Sequence, residues 1–293
     1  MHTHTYIHTY IPPYLIKFYT YTGTYKTPQT PQNRNTMRSL AGKHCIITGG
    51  SRGIGLAIAR AFAASGASCT LVGRDQATLA AAVRTLPSPS SSSDTTTTTT
   101  EKPTTHAARA FDVSDVSGWD DMVADMKSRR TPIDVLVNGA GLSQRSLLVR
   151  TPAAEVERVL AANLAGAVWG CRAVLPRMMH QKSGCIINVS SLMAVQGGQG
   201  ASVYAASKAG VVGLTRSLAW EVGRFGIRAN VLLPGYIQTD MTNDMDRKGE
   251  LSARIPLGRL GLADEVAHAA TFLAENPYAH NCVLNIDGGM SAT

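Results

Sequence analysis

A glycine-rich turn between a short apolar run and a helical pattern constrains the fold of this chain more than any other feature. The turn reads TGGSRGIG at residues 48–55, and its threonine ends the apolar run KHCIIT. Gly49 can take a positive φ angle, and the missing side chains at Gly53 and Gly55 let a pyrophosphate approach the backbone. Free N–H groups at the start of the next helix favour that anion. Although the spacing departs from G-x-G-x-x-G, this position predicts a dinucleotide site formed by Gly49, Ser51, Arg52, Gly53, Ile54 and Gly55.

Strand-like and helix-like segments alternate along the rest of the chain. Apolar runs of strand length occur at 45–48, 68–72, 107–111, 135–138, 185–189, 229–233 and 283–286. Helical patterns lie between them, at 54–65, 76–86, 119–127, 153–179, 202–224 and 263–274. This spacing predicts an α/β protein: one doubly wound Rossmann-type domain with a mostly parallel seven-stranded sheet flanked by helices. Ligands of such sheets bind beyond the carboxyl ends of the strands, so motifs at those ends matter most.

Two segments differ in composition from this pattern. Residues 1–37 are rich in Thr, Tyr and His and show no helical or strand period, so we expect a disordered extension outside a domain that spans 38–293. The extension is interpreted either as an organelle transit peptide or as an extended start, with Met37 as the true first residue. We favour the extended start, because transit peptides are usually Arg-rich and amphipathic. Residues 87–105 include six consecutive threonines and are expected to form a solvated surface loop.

Charge, hydropathy and cysteine content exclude several classes of protein. The formal charge is +8, but residues 1–74 contain eight basic and no acidic residues; the remaining 20 basic residues balance all 20 acidic ones. We therefore expect no nucleic-acid-binding face. No apolar run approaches the roughly 20 residues that cross a bilayer, so no membrane span is expected. Five scattered cysteines without a C-x-x-C pair predict neither disulfides nor a metal site, and they favour an intracellular location.

The residues after the second strand bear on the choice of cofactor. Enzymes that use NAD usually place an acidic residue there, to accept a hydrogen bond from the ribose 2′-hydroxyl. This chain has Arg74 instead, whose guanidinium suits a 2′-phosphate, and Arg52 in the glycine-rich turn could add a second charge. Asp75 could pair with Arg74 or repel the phosphate, and both arginines could be ordinary surface charges. We favour NADPH.

Two further strand ends carry candidate adenosine contacts. Asp112, followed by Val113, could accept from the adenine amino group or could cap the next turn. The sequence NGAG follows the fourth strand, and its glycines again allow close backbone approach. Asn138 would either join strands or line the adenosine site. The predicted contacts here are Asp112, Val113, Asn138, Gly139, Ala140 and Gly141.

A second set of residues suits the reduction of a carbonyl group. Tyr204 and Lys208 lie four residues apart on a predicted helix, so their side chains face the same way. The ammonium group should lower the tyrosine pKa from about 10 towards neutrality, which would make Tyr204 a general acid. Ser191 follows the fifth strand, where its hydroxyl could hold a substrate oxygen. A Y-x-x-x-K pair alone is usually two solvated helix residues; its combination with the serine and the glycine-rich turn favours catalysis.

The motifs TGGSRGIG, NGAG, SS, YAASK and PGYIQTDM resemble, in this order, those of the classical short-chain dehydrogenase/reductase family. The resemblance covers roughly residues 40–290. It implies a catalytic tetrad of Asn163, Ser191, Tyr204 and Lys208, with the last two also touching the cofactor. It further implies that the asparagine backbone holds a relay water and that the nicotinamide is contacted by Pro234, Gly235, Ile237 and Thr239. NGAG departs from the commoner NNAG or NAAG. A homotetramer, packed through the helices predicted at 153–179 and 202–224, is also implied.

Three segments, SLLVRT, PLGRLG and NIDGGM, resemble more narrowly the 3-oxoacyl-[acyl-carrier-protein] reductases, including the mitochondrial carbonyl-reductase type. This resemblance implies reduction of a 3-oxoacyl thioester to the 3-hydroxyacyl thioester in fatty acid synthesis, in the mitochondrial matrix or the cytoplasm. Carrier proteins are acidic, so basic residues are candidates for docking. These are Arg145, Arg172, Arg177, Lys182 and Arg224, although they could also be solvated helix faces.

Two alternatives stay open at this point. One is a reductase of free ketones, quinones or secondary-metabolite intermediates, which would share the chemistry and differ in the pocket. The other is a catalytically silent NADPH-binding subunit, which would have no need to keep Ser191, Tyr204 and Lys208 together. The segment around residues 236–257 is expected to shape the substrate pocket, and its composition names no ligand.

Overall fold

The apolar runs read from the sequence form a single parallel sheet in the computed structural model, which describes residues 40–88, 105–242, 245–246 and 249–292. The extension expected at residues 1–37 lies outside the described residues, as does the loop expected at 87–105 except for its three outermost residues. Both stay predictions. Residues from 40 onwards belong to one compact unit.

The sheet has seven strands, and all six neighbouring pairs are parallel. The strands are β1 (His44–Thr48), β2 (Ser68–Gly73), β3 (Ala107–Ala110), β4 (Val135–Asn138), β5 (Gly184–Val189), β6 (Ile227–Pro234) and β7 (Val283–Ile286). Their order in the sheet is β3-β2-β1-β4-β5-β6-β7, so the winding direction reverses between β1 and β4. Ligands bind at such a reversal, beyond the carboxyl ends of the strands.

Helices cover both faces of this sheet, as expected for strands that are buried on both sides. The helices are α1 (Gly53–Ala64), α2 (Gln76–Arg84), α3 (Val116–Ser128), α4 (Ala153–Leu160), α5 (Gly166–Gln181), α6 (Met193–Gln196), α7 (Ser202–Val222) and α8 (Ala263–Glu275). One core lies beneath α1, α2 and α8 and contains Ile47 and Ile187. The other lies beneath α3, α5 and α7 and contains Ile46 and Ile186, so adjacent residues of one strand enter opposite cores.

Two helical predictions differ from the structure. The helix expected at 153–179 is interrupted by a wide π-helical turn, Ala161–Ala165, in which the Gly166 N–H bonds to the Ala161 carbonyl. The short helix α6 was not predicted at all. A one-turn helix carries too little periodicity to be read from sequence, and a π-turn keeps the helical pattern while adding one residue to it.

Within the described residues, only the stretch Ala153–Gln181 is long and apolar enough to cross a bilayer. Its second half, α5, packs on α3, β4 and β5. Residues such as Val174 and Met178 of that helix lie fully inside the second core. All five cysteines are free.

Candidate active site

The glycine-rich turn closes over the end of β1 in a way that requires its glycines. Gly49 has a φ of 69°, and a Cβ added there would lie 3.0 Å from the backbone of Ala140. A Cβ at Gly55 would lie 2.3 Å from the Gly49 carbonyl oxygen. Thr48 Oγ1 accepts hydrogen bonds from the N–H groups of Gly139 and Ala140 at 3.0 and 3.1 Å. The two glycine-bearing loops after β1 and β4 are therefore held against each other.

A cavity of about 710 Å³ opens above these loops. The N-terminus of helix α1 points at this cavity. The side chain of Arg52, the residue before the helix, does not cap it, and the first turn of the helix contains no acidic residue. Uncapped N–H groups beside a glycine cradle suit a pyrophosphate. The residues present therefore fit a dinucleotide. The predicted contacts that line this cavity are Gly49, Ser51, Arg52, Gly53, Ile54, Gly55, Arg74, Asp112, Val113, Gly139, Ala140, Gly141 and Thr239.

The charged groups at the far end of this cavity are arranged for an anion. Asp75, the residue that complicated the choice of cofactor, caps α2, because its Oδ1 accepts the Thr78 N–H at 2.7 Å. Asp112 caps a turn through hydrogen bonds from Ser114 N and Oγ at 2.9 and 2.7 Å. These bonds, together with the charge of Arg74, lower the pKa of Asp112. Arg52 lies 3.7 Å from Asp240, and both side chains are largely exposed.

A second cavity, of about 440 Å³, adjoins the first and shares Ile54, Gly139, Gly141 and Thr239 with it. The shared lining makes the two one continuous cleft along the carboxyl edge of the sheet. Six further predicted residues line the second cavity and not the first. They are Ser191, Tyr204, Lys208, Pro234, Gly235 and Ile237.

Three of the residues proposed for chemistry converge in the second cavity. Ser191 follows β5, and its hydroxyl is close enough to the Tyr204 side chain to lower the pKa of the phenol. Lys208 Nζ lies 5.9 Å from the centre of the Tyr204 ring and donates to the Val189 carbonyl at 2.9 Å. Ser190, next to Ser191, donates to the Lys208 carbonyl at 2.7 Å, which joins the end of β5 to α7.

The expectation that Lys208 lowers the pKa of Tyr204 is wrong. Burial raises the Tyr204 pKa, and the nearby Ser191 hydroxyl offsets this only in part. The lysine is itself buried, and desolvation lowers its pKa to about 8. Loss of hydration disfavours the charged form of both groups, so it outweighs their mutual attraction. Tyr204 is therefore fully protonated at neutral pH, as a proton donor must be.

Asn163 lies behind the cleft rather than in its wall. It is in the π-helical turn, where its Oδ1 accepts from Leu142 N at 2.7 Å and its Nδ2 donates to Leu142 O at 2.9 Å. The same Nδ2 donates to Ser207 Oγ at 3.0 Å. The side chain thus ties the loop after β4 to α7. That role fits the resemblance, which assigns the water to its backbone.

Of the two interpretations of Asn138, the geometry supports the joining of strands. Its Nδ2 donates to Asn188 Oδ1 at 2.8 Å, which links β4 to β5, and Asn188 Nδ2 donates to Thr215 Oγ1 at 2.8 Å. The Asn138 side chain is buried and is not among the described residues that line either cavity.

The basic residues suggested for docking do not form one surface on a single subunit. Arg177 and Lys182 lie at the C-terminal end of α5 and Arg224 follows α7, next to the amino ends of β5 and β6. The cleft opens at the opposite edge of the sheet. Only Arg145 lies in the second cavity, where its guanidinium donates to the Met241 carbonyl.

Several lining residues were missed by sequence reasoning. Arg158 of α4 borders the first cavity, and Gln144 borders the second together with Met193, Met241 and Met245. Met241 ends the PGYIQTDM sequence, and Met241 and Met245 lie in the segment expected to shape the substrate pocket, although neither was named as a lining residue. The other three belong to no motif, and their one available signal was that Gln144 follows the NGAG sequence within three residues.

Comparisons with known proteins agree with this geometry. The model of a family described as short chain dehydrogenase matches residues 43–250. A 3-oxoacyl-[acyl-carrier-protein] reductase of Bos taurus is 39% identical over 251 residues, which cover 86% of this chain and 99% of that protein. Carbonyl reductase family member 4 of Xenopus laevis is 37% identical over 248 residues, covering 85% and 98%.

A crystal structure from Agrobacterium tumefaciens, whose protein carries the provisional name gluconate dehydrogenase, superposes with a TM-score of 0.79 at 29% identity. The superposition covers 88% of this chain and all of that one. Family model, full-length relatives and fold thus lead to one assignment. The chain belongs to the short-chain dehydrogenase/reductase family, and it is an oxidoreductase acting on a carbonyl or CH–OH group.

Proposed function

We propose that this protein uses NADPH to reduce a 3-oxoacyl thioester, held on an acyl carrier protein, to the 3-hydroxyacyl thioester in fatty acid synthesis. The observation that carries the proposal is the convergence of Ser191, Tyr204 and Lys208 where a dinucleotide cavity meets a second, partly apolar cavity. Relatives named 3-oxoacyl-[acyl-carrier-protein] reductase match nearly the full length of the domain, which supports the choice of substrate.

Each of the three residues has a distinct part in this chemistry. A bound nicotinamide dinucleotide supplies the hydride. Ser191 Oγ donates a hydrogen bond to the substrate carbonyl oxygen, and Tyr204 gives that oxygen its proton as negative charge develops there. Lys208, when protonated, stabilises the tyrosinate that is left. Its buried position keeps this interaction away from water, where it would be screened.

The preference for NADPH is supported by the charges at the adenosine end. Arg74 lines the cavity directly after β2, and Arg52 lines it from the glycine-rich turn. Since Asp75 is engaged as the cap of α2, its carboxylate is held by the Thr78 N–H rather than by Arg74. Although Arg52 also lies 3.7 Å from Asp240, two guanidinium groups at this end of the cavity suit a 2′-phosphate.

The walls of the second cavity support an acyl substrate. Leu192, Met193, Met241 and Met245 provide apolar and adaptable surface, which suits a flexible chain. Arg145 places one positive charge at the same cavity, where a phosphorylated or acidic carrier would approach.

A second candidate is the reduction of free ketones or quinones. It is favoured by the relatives named carbonyl reductase, which are about as similar to this chain as the acyl-carrier-protein reductases. The chemistry at Tyr204 would be the same.

Substrate comparison separates these candidates. NADPH oxidation is measured with acetoacetyl groups on carrier protein and on coenzyme A, and with simple ketones and quinones. We expect both thioesters to be turned over best; weak activity on both with strong turnover of a quinone would establish the second candidate.

Tyr204→Phe should abolish turnover and leave NADPH binding intact. NADPH binding without turnover of any carbonyl would instead indicate a silent subunit.

We further propose a homotetramer located inside the cell, in the mitochondrial matrix or the cytoplasm. Trp220 on α7 is 86% exposed, whereas Val211 and Leu218 of the same helix face the core. An exposed tryptophan on a long helix suits burial against another subunit. Five free cysteines, four of them buried, suit a reducing compartment.

A further inference from the structure

We propose that Gln144 is a positioning residue that holds the N-terminus of α7, and with it Tyr204, in place for proton transfer. The inference rests on the proposed function, because it assigns a support to the residue that donates the proton. Gln144 is not part of any motif described above. It is 5% exposed and lies in the loop between β4 and α4, which also forms one wall of the second cavity.

The side chain supplies a cap that α7 lacks in its own sequence. A helix begins with N–H groups that have no partner within it, and a residue just before the helix usually accepts one of them. The residue before α7 is Ala201, which makes no side-chain cap. Gln144 Oε1 instead accepts the N–H of Val203 at 2.7 Å and that of Tyr204 at 3.2 Å.

The other end of the amide fixes its orientation. Gln144 Nε2 donates to Ser146 O at 3.0 Å and to Thr151 Oγ1 at 2.9 Å. Thr151 Oγ1 in turn donates to Leu147 O at 3.0 Å. The amide nitrogen thus faces two acceptors, and the amide oxygen faces two backbone N–H groups. A 180° flip of the amide would lose the hydrogen bonds at both ends.

Both main-chain groups of Tyr204 are consequently tied to neighbouring residues. Ser207 Oγ donates to the Tyr204 carbonyl at 2.7 Å and accepts from Asn163 Nδ2. The N–H is held by Gln144 alone among the described residues. Loss of this bond frees the first turn of α7 to move relative to Ser191, and displacements of about 1 Å can reduce a rate about 100-fold.

The test compares two identical substitutions, Gln144→Met and Gln181→Met. Gln181 is a matched control, because its amide also bridges backbone groups: Oε1 accepts from Ile133 N at 3.1 Å and Nε2 donates to Ile133 O at 2.9 Å. It lies at the C-terminal end of α5, next to the amino edge of the sheet, far from the cleft. For Gln144→Met we expect kcat to fall about 10- to 100-fold with the NADPH Kd changed less than about threefold. Gln181→Met should keep the wild-type kcat.

A second readout does not depend on turnover. Hydrogen exchange of the Val203 and Tyr204 amides should accelerate about fivefold or more in Gln144→Met, as the loss of a helix cap predicts. It should be unchanged in Gln181→Met. If the wild-type protein reduced no carbonyl, the proposed function would fail, while the exchange data would still decide the role of Gln144.

Gln144→Glu separates the roles of the two ends of the side chain. Its carboxylate keeps an acceptor for both N–H groups but cannot donate to Ser146 O or Thr151 Oγ1, so the exchange rates should lie between those of the wild type and Gln144→Met. Unchanged exchange and kcat in Gln144→Met would overturn the proposal. So would equal losses of kcat, NADPH affinity and melting temperature, since these would indicate a general structural role.

Discussion

Tyr204 and Lys208 line the second cavity, and burial moves their pKa values in opposite directions. The tyrosine pKa is raised and the lysine pKa is lowered to about 8. Near neutral pH both carry their protons, which is the state required for reduction. As pH rises through about 8, Lys208 loses its charge first, so the support for the developing tyrosinate disappears before Tyr204 itself titrates.

The burial of Lys208 should lower the free energy of unfolding of the protein at neutral pH. A folded-state pKa of about 8 against 10.5 corresponds to about 3 kcal/mol of destabilisation below pH 8, and this penalty fades as pH rises from about 8 to 10.5. Lys208→Met should therefore increase the free energy of unfolding at pH 7 by up to about 3 kcal/mol and abolish turnover. Urea unfolding of both proteins at pH 7 and pH 10 measures this. The wild type should gain stability relative to the variant between the two pH values, and an unchanged difference would contradict the lowered pKa, because the hydrogen bond to the Val189 carbonyl is lost at both pH values.

Arg74 should decide the choice between the two dinucleotides. Arg74→Asp removes a charged hydrogen-bond donor from the proposed 2′-phosphate site, so the NADPH Kd should rise about 10- to 100-fold, with NADH affected less than about threefold. Fluorescence titration with both cofactors measures the change. Arg84→Asp on α2 is the charge-matched control and should alter neither Kd. Equal losses for the two cofactors would refute the assignment.

Residue identities in the cleft were predictable where a motif is local in sequence. TGGSRGIG and YAASK each span eight residues or fewer, and their side chains lie where the sequence indicates. Gln144 was missed because its partner amides are 59 and 60 residues away. The direction of the Tyr204 pKa was missed because it depends on burial, which no single motif encodes.

At the scale of elements, apolar runs located every strand within two residues of its ends. Val135–Asn138 coincides with the predicted strand, because a fully buried parallel strand leaves a continuous apolar run. Val283–Ile286 coincides as well, although it is an edge strand that is only partly buried. The helix expected at 153–179 was predicted less well. Its apolar period continues through the π-helical turn, so sequence alone cannot show the extra residue that brings Asn163 towards Leu142.

The close contact between α1 and the glycine-rich turn predicts the effect of a substitution at the start of this helix. Gly55→Ala places a Cβ 2.3 Å from the Gly49 carbonyl oxygen, where neither backbone can yield easily. We expect the free energy of unfolding to fall by about 1–3 kcal/mol and NADPH affinity to fall with it, because the start of α1 must shift. Thermal unfolding and cofactor titration measure both effects. Wild-type affinity in a destabilised variant would show that the cradle is not formed by this contact.

At the scale of the whole molecule, the exposed apolar side chains are unevenly placed. Trp220 of α7 is 86% exposed, and Phe272 of α8 is 48% exposed. These helices lie on opposite faces of the sheet, since α7 covers one core and α8 the other. One large exposed apolar side chain on each face is compatible with the proposed tetramer, which needs more than one kind of interface.

Trp220→Glu should therefore weaken assembly. The wild-type protein is expected to have about four times the 31.1 kDa chain mass, and the variant should shift to dimers or monomers because a charge at an apolar contact is costly. Light scattering after gel filtration measures the mass. A wild-type monomer, or a variant that stays tetrameric, would refute the proposed interface.

The order of the strands has a consequence for how function appears during folding. The cleft draws on the carboxyl ends of β1, β4, β5 and β6, which are separated by up to 186 residues in the chain (from residue 48 to residue 234). Pairings between such distant segments form late, after local helices. A partly assembled sheet would already contain most of the helices and much of the core, yet its strand ends would not face one another. We therefore expect carbonyl reduction, rather than cofactor binding, to require the completed sheet, because Ser191 and the residues after β6 line the cleft only once β5 and β6 have joined it.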